Sequence, residues 1–396
     1  MRVLLINDYG MPTGGAELLT MRLRDALRDA GHKALFFSST AGAEREKLES
    51  DVQCHGTRGP HSILLQTWNP FAARKLQRVL RRFRPDVVHI GLFLTQLSPA
   101  ILPVLRNVPT IYHAHWYRAI CPTGSKRQPD GTLCQSRQGF VCAKVGCIPP
   151  QDIFPMQVQA RLLARWKSVF RVILADSNWL KHRLEAEGFG PVEVLWNGVN
   201  VCPVRPPLGA EPVITFAGRM VPEKGLRVLL EAFRLVLNRV PKARMLILGD
   251  GADRQNLEST IARLKISDAI DWKPWLPHAE MQKFFAPAWV QVVPSLWEEP
   301  FGMASIDCMM RGSAVVASRI GGLTEIIVDG ETGYLSPPGD VGELAAALLK
   351  ICTDREHAER LGRAARERAI EHFTEARCLA QHLEWFEKVR TGYRSK

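Results

Sequence analysis

The chain lacks any apolar run near the ~18 residues that a membrane span requires. Its first residues, Met1-Arg-Val-Leu-Leu-Ile-Asn-Asp, read as a strand rather than a secretory leader, so a cytoplasmic protein is expected. It also lacks paired cysteines. Nine thiols are present, but none forms the C-x2-C pair of strong zinc motifs, and in a reducing compartment disulfides are not expected. Five are scattered: Cys54, Cys202, Cys308, Cys352 and Cys378. The other four, Cys121, Cys134, Cys142 and Cys147, lie in a Gly/Pro/Gln/Arg-rich segment with gaps of 12, 7 and 4 residues. The leading reading there is no metal, with a tetrahedral zinc site as the weaker alternative. No internal repeat or low-complexity tract is present, which excludes a solenoid. No basic patch interleaved with aromatics accompanies the positive charge, so nucleic acid is not an expected partner.

What is present is the composition of a soluble globular protein. At 396 residues it exceeds one ordinary core, and two domains are expected. The charge is uneven. Residues 1–200 carry 26 Lys+Arg against 15 Asp+Glu, and residues 201–396 carry 26 against 25, so nearly all of the net +12 lies in the first half. The densest piece, Arg74, Lys75, Arg78, Arg81, Arg82 and Arg84, shares a helical pattern with Leu76, Val79, Leu80 and Phe83. Such a helix suits an anionic membrane surface, with a solvated face as the alternative.

Residues 2–7 form an apolar strand, 8–15 a loop carrying Gly14 and Gly15, and 16–30 a helical pattern, which is how a doubly wound α/β domain begins. Further strands are expected at 35–38, 85–90, 110–115 and 172–175, and an amphipathic helix at 157–170. Residues 203–212 hold four prolines without period and read as an interdomain linker. The alternation restarts with a strand at 213–218, a loop from Arg219 to Gly225 and a helix at 226–238, followed by a strand at 245–248 and, further on, the segment 270–276. The decisive stretch follows the strand Val290 to Val293. Pro294 and Pro300 forbid helix between them, and Gly302 opens a segment that is helical. Backbone N–H groups from Gly302 onward are a ready cradle for phosphate. Glu299 before the turn and Asp307 in the first two turns can accept from sugar hydroxyls on either side of it. Arg219 and Lys224, one turn apart after a strand, can grip both phosphates of a diphosphate. A sugar nucleotide has that layout.

Glu299-Pro-Phe-Gly-x4-Asp307, followed by Gly312, Val315, Val316, Ala317, Ser318, Gly321, Gly322 and Glu325, resembles the E-x7-E signature of the family-four retaining glycosyltransferases. Gly14-Gly15-Ala16-Glu17 is similar to that family's G-G-A-E loop, and Gly218-Arg219-x4-Lys224-Gly225 to its G-R-x4-K-G signature. His115-x-Tyr117-Arg118-x2-Cys121-Pro122-x-Gly124 resembles a segment of one subgroup, and Asn197-Gly198-Val199-Asn200 its N-G-V-D turn with Asn for Asp. The resemblance implies an α/β protein of GT-B fold, two Rossmann-like doubly wound domains facing across a cleft. Residues 1–203 would bind acceptor, 204–375 the nucleotide sugar, and the helix 376–396 would pack back on the first domain.

By the same resemblance Glu299 meets the transferred sugar and Asp307 the ribose, although Asp is one methylene shorter than the usual Glu. Arg219 and Lys224 hold the leaving diphosphate. Gly15, Gly218, Leu276, Phe301, Gly302 and Met303 complete the donor site, Gly14 and Arg118 lie on the acceptor side, and His115 sits near the sugar's 6-hydroxyl. His115, Glu299, Arg219 and Lys224 would be the catalytic set. The implied reaction is retaining transfer of a hexosyl group from a UDP- or GDP-linked sugar to a hydroxyl acceptor, lipid-linked or anionic, in bacterial polysaccharide or glycolipid assembly. No cofactor or catalytic metal is implied, and no Asp-x-Asp stands at a strand end. Pro274 replaces a usual glycine in the base-binding segment, which leaves the nucleobase open. Two rivals stand beside this reading: a GT-B-shaped epimerase or phosphorylase, and a non-catalytic partner subunit that binds sugar nucleotide, favoured by Asp307 alone.

Overall fold

The computed structural model describes residues 1–12, 14–42, 48–56, 59, 62–276 and 278–392. They divide into two compact units, Met1–Trp196 with Cys378–Lys396, and Asn197–Arg377. In the first, the strands are β1 (Arg2–Tyr9), β2 (Lys33–Ser39), β3 (Val52–Cys54), β4 (Val87–Ile90), β5 (Thr110–Ala114), β6 (Phe170–Ala175) and β7 (Val192–Val194). All pair in parallel, in the order β3-β2-β1-β4-β5-β6-β7. Parallel sheets are covered on both faces, which is why Val3, Leu4, Leu5 and Ile6 are consecutive apolar residues and all fully buried. The order reverses between β1 and β4, the switch point at which ligands bind in such sheets.

The second unit repeats the plan with β8 (Val213–Ala217), β9 (Arg244–Leu248), β10 (Ile270–Lys273), β11 (Val290–Val293), β12 (Ala314–Ser318) and β13 (Gly333–Ser336). Its order is β10-β9-β8-β11-β12-β13, again parallel, with the switch point between β8 and β11. Ile214, Phe216, Leu229, Phe233, Val290, Val316 and Leu348 belong to one buried cluster under this sheet.

Several boundaries differ from the sequence expectation. The division between units falls after Trp196 rather than in the proline-rich segment. The cause is hydrogen bonding within the second unit: Val199 N–H donates to Phe373 O, Arg205 N–H to Arg311 O, and the Arg205 guanidinium pairs with Glu359 at 2.8 Å. β10 stops at Lys273 because Pro274 has no N–H to continue the ladder. The helix expected at 157–170 runs Ile153–Trp166, and Phe170 already belongs to β6. The short β3 and β7 and a helix at Ser62–Thr67 were not anticipated. The C-terminal helix spans Glu375–Arg390, and its Phe386 and Val389 are buried in the core of the first unit with Val3 and Leu5; residues 393–396 of the expected 376–396 segment lie outside the described residues. Among the described residues no helix is long and apolar enough to cross a membrane.

Candidate active site

In the second unit, Gly218, Arg219 and Lys224 follow β8, and Glu299 follows β11, so the expected donor residues stand at the carboxyl ends of the two strands that flank the switch point. The two loops are tied together. Leu296 N–H donates to Glu223 O at 2.8 Å, and Gly225 adopts φ +69°, with a Cβ there falling 1.9 Å from Pro294 O. Only glycine lets the Arg219–Gly225 loop lie this close to the turn that carries Glu299.

The centre of the arrangement is an ion pair. Lys224 Nζ donates to Glu299 Oε1 at 2.6 Å, and Ser295 Oγ donates to the same oxygen at 2.6 Å. Lys224 also lies over the Trp297 ring, 5.4 Å from its centroid. Glu299 is buried. Burial alone would raise its pKa, but the Lys224 charge and the hydrogen bonds outweigh it and hold the carboxyl below the usual range. Its backbone is clamped from behind: Gly322 N–H donates to Glu299 O at 2.8 Å, and Gly321, at φ +60°, packs where a Cβ would come within 2.4 Å of that oxygen.

The helix after this turn spans Met303–Arg311, and its N-cap, Gly302, supplies no side-chain acceptor. The first-turn N–H groups therefore face the site without a capping side chain. Two buried contacts hold the helix on its strand: Gln291 Nε2 donates to Ala304 O at 2.8 Å, and Arg311 Nη2 donates to Gln291 Oε1 at 2.7 Å. Phe301 is buried edge-on against Phe373. Asp307 is half-buried in the second helical turn, within electrostatic reach of the Cys202 and Cys308 thiols. Arg219 is exposed and Leu276 half-exposed beyond β10.

In the first unit, exposed Gly14 and Gly15 open the helix Gly15–Asp29. His115 lies just past β5, and its Nδ1 donates to the Asp176 carboxylate at 3.0 and 3.1 Å. Asp176 also sits 3.0 Å from His113 Nε2. Burial opposes its charge, but the His115 and His113 imidazoles dominate and keep it ionised. Asp176 was not singled out in the sequence; the available signal was an acid at the carboxyl end of an apolar strand. Asp8, expected as the first loop residue, lies inside β1 and accepts from the N–H groups of Thr95, Gln96 and Leu97 at 2.8 Å each, tying the end of β1 to the segment after β4.

Arg118 is buried, donating to Pro122 O within its own loop and, at 2.9 Å, to Gln66 Oε1 of the helix Ser62–Thr67. Among the described residues, no three of Cys121, Cys134, Cys142 and Cys147 come within 4.8 Å of one another; the groups that do are built on histidine.

Comparison with known proteins decides the family. The description "Glycosyltransferase Family 4" matches residues 13–201, and "Glycosyl transferases group 1" matches residues 205–368. The chain belongs to glycosyltransferase family 4. This glycosyltransferase is 25% identical over 402 residues to a glycogen synthase of Mycobacterium tuberculosis, covering 94% of this chain and 91% of that one. It is 31% identical to a D-inositol 3-phosphate glycosyltransferase of Streptomyces avermitilis over 215 residues, 49% of this chain and 46% of the relative. Among solved structures it is similar to sucrose-phosphate synthase of Thermosynechococcus elongatus, with TM-score 0.75, 22% identity and 99% of both chains covered. It also resembles Anabaena HepE in complex with UDP and glucose, with TM-score 0.71, 20% identity, and 98% and 99% coverage. At these identities the structural likeness establishes the GT-B fold, and the family establishes a sugar-transferring enzyme.

Proposed function

We propose that this glycosyltransferase moves a hexosyl group, with retention of anomeric configuration, from a UDP- or GDP-linked sugar to a hydroxyl acceptor. The observation that carries the reading is the Lys224–Glu299 pair at 2.6 Å, held at the switch point beside a helix N-terminus with no capping side chain. Lys224, Arg219 and the helix N–H groups offset the charge that builds on the departing diphosphate, which is the main catalytic contribution in a site without a resident metal. Glu299 accepts from hydroxyls of the transferred sugar and Asp307 from those of the ribose, with Gly15, Gly218, Leu276, Phe301 and Met303 around the donor. His115 accepts from the 6-hydroxyl through Nε2, its ring oriented by Asp176. The acceptor attacks the face from which the diphosphate leaves, and the diphosphate itself takes the acceptor's proton. HepE binds UDP and glucose, which supports a donor of this class.

A thermal-shift panel of UDP-, GDP-, ADP- and dTDP-sugars tests the donor. One nucleotide class should stabilise the protein, and free nucleoside diphosphate should appear only when an acceptor alcohol is added. Release without an added alcohol, the sugar passing to water, favours the epimerase reading, sugar 1-phosphate formed from added phosphate favours a phosphorylase, and binding without turnover on any alcohol favours a non-catalytic subunit.

The acceptor is taken to be lipid-linked, in polysaccharide or glycolipid assembly at the inner membrane face. On the helix Pro70–Phe83, Arg74, Arg78, Arg81 and Arg82 are exposed, followed by exposed Arg84, and none is in an ion pair among the described residues. Leu64, Trp68 and Phe71, close in sequence, are exposed apolar residues. Cations beside apolar side chains suit an anionic bilayer surface. Vesicles rich in anionic lipid should sediment the wild type, and the Arg74→Glu/Arg78→Glu variant should remain in solution; equal sedimentation of both contradicts this placement.

A further inference from the structure

Three histidines outside the donor site converge on one point inside the first unit. His89 comes from β4, His113 from the neighbouring β5, and His382 from the C-terminal helix, 269 residues further along the chain. Their rings are nearly inaccessible, each at most 3% exposed. His89 Nε2 lies 3.3 Å from His113 Nδ1, His382 Nε2 lies 3.4 Å from the same atom, and all three nitrogens fall within 4.8 Å of one another.

The outer sides of two rings decide which way their lone pairs point. His382 Nδ1 is 2.8 Å from the carbonyl oxygen of Cys378, which can only accept, so Nδ1 carries the proton and Nε2 presents a lone pair. His113 Nε2 is 3.0 Å from Asp176 Oδ1, an ion-pair contact rather than a straight hydrogen bond; the carboxylate draws the proton to Nε2, and His113 Nδ1 presents a lone pair. Two lone pairs therefore face each other across 3.4 Å in a buried site. His89 Nε2 can donate to only one of them, and its own Nδ1 has no hydrogen-bond partner among the described residues.

A cation removes the conflict. Zinc binds imidazole nitrogen at ~2.0–2.1 Å in a tetrahedron, whose edges are then about 3.3–3.4 Å, matching the two short separations, 3.3 and 3.4 Å. The outer contacts are of the kinds that orient metal-binding histidines, a carboxylate beside one ring and a hydrogen-bonded backbone carbonyl on another. We propose that His89, His113 and His382 bind one divalent transition-metal ion of the zinc class, which fastens the C-terminal helix to β4 and β5. The ion has a structural role and takes no part in sugar transfer. Asp176 links it to His115, so the site also stiffens the imidazole that faces the sugar.

The full-length protein, stripped with chelator and titrated with cobalt(II) chloride, is the test. The expected result is roughly one cobalt per chain, with visible d–d absorption of a tetrahedral nitrogen site and no sulfur-to-cobalt charge-transfer band. Zinc should then raise the melting temperature of the wild type but not of His382→Gln, and Asp176→Asn should weaken cobalt binding about 10–100-fold. A Cys134→Ser/Cys147→Ser variant should bind as the wild type does. Absence of binding, a thiolate charge-transfer band, or undiminished stoichiometry in both His382→Gln and His113→Gln overturns the proposal. Because the cobalt spectrum is read on the wild type, a variant that fails to fold does not shield the proposal from refutation. Sugar transfer is not read in any arm, so the outcome is independent of the donor assignment.

Discussion

Replacing Lys224 with methionine keeps the apolar stem of the side chain, one atom shorter, and removes the charge that faces Glu299. The carboxylate stays buried, retaining the Ser295 hydrogen bond at 2.6 Å but losing the cation at the same distance. Breaking a buried pair by removing one partner costs about 3–5 kcal/mol. The Lys224 side chain is 22% exposed, so water reaches the gap and the lower end, about 3 kcal/mol, applies. For a unit of this size that corresponds to a fall in melting temperature of about 6–12 °C. Calorimetry of the full chain should show the loss in the transition of the Asn197–Arg377 unit. The double variant Lys224→Met/Glu299→Gln, with no unpaired charge, should recover most of the stability and none of the transfer activity. Lys224→Met melting within about 1 °C of the wild type would refute the reasoning, since Glu299 would then not depend on Lys224 for compensation. Because Lys224 also pairs Glu299, stability and activity should fall together.

Other outcomes follow from the same geometry. Gly321→Ala places a Cβ 2.4 Å from Glu299 O at φ +60°, so it should cost about 1–3 kcal/mol in strain and reduce transfer by displacing the sugar-binding acid, measured by unfolding and by initial rate. Because the folded pKa of Glu299 is held below that of the unfolded chain, its contribution to stability is present above the unfolded value and is lost as pH falls through the folded one. Melting curves between about pH 5 and 3 should therefore fall more steeply for the wild type than for Glu299→Gln, and parallel curves would contradict the pairing. Asp307→Asn should raise the donor KM about tenfold, the loss of one charge-assisted hydrogen bond, with little change in melting temperature; an unchanged KM removes Asp307 from the ribose site.

The placement of the candidate donor residues was legible in the sequence because each part is local. A glycine-bearing loop after one strand and a Pro-flanked turn after another each carry their own signal, and parallel sheets deliver both to the same edge. Their mutual dependence was not legible: Lys224 and Glu299 are 75 residues apart, and nothing in either motif states that the cation neutralises the acid when no donor is bound. The surroundings of Arg118 were not legible either: Gln66, whose oxygen accepts from it, is 52 residues away in sequence. The histidine cluster was out of reach for a similar reason. His113 and His115 are neighbours in sequence, but His382 arrives only through the docking of the last helix, which a one-dimensional pattern does not register.

Transfer with retention at the Glu299 site is tested most directly by the anomeric configuration of the first product formed from an α-linked sugar nucleotide, read from the one-bond carbon–proton coupling at the new linkage. The α-glycoside is expected from the wild type, with none from Lys224→Met. A β-glycoside, or an α-glycoside made at undiminished rate by Lys224→Met, would contradict the mechanism.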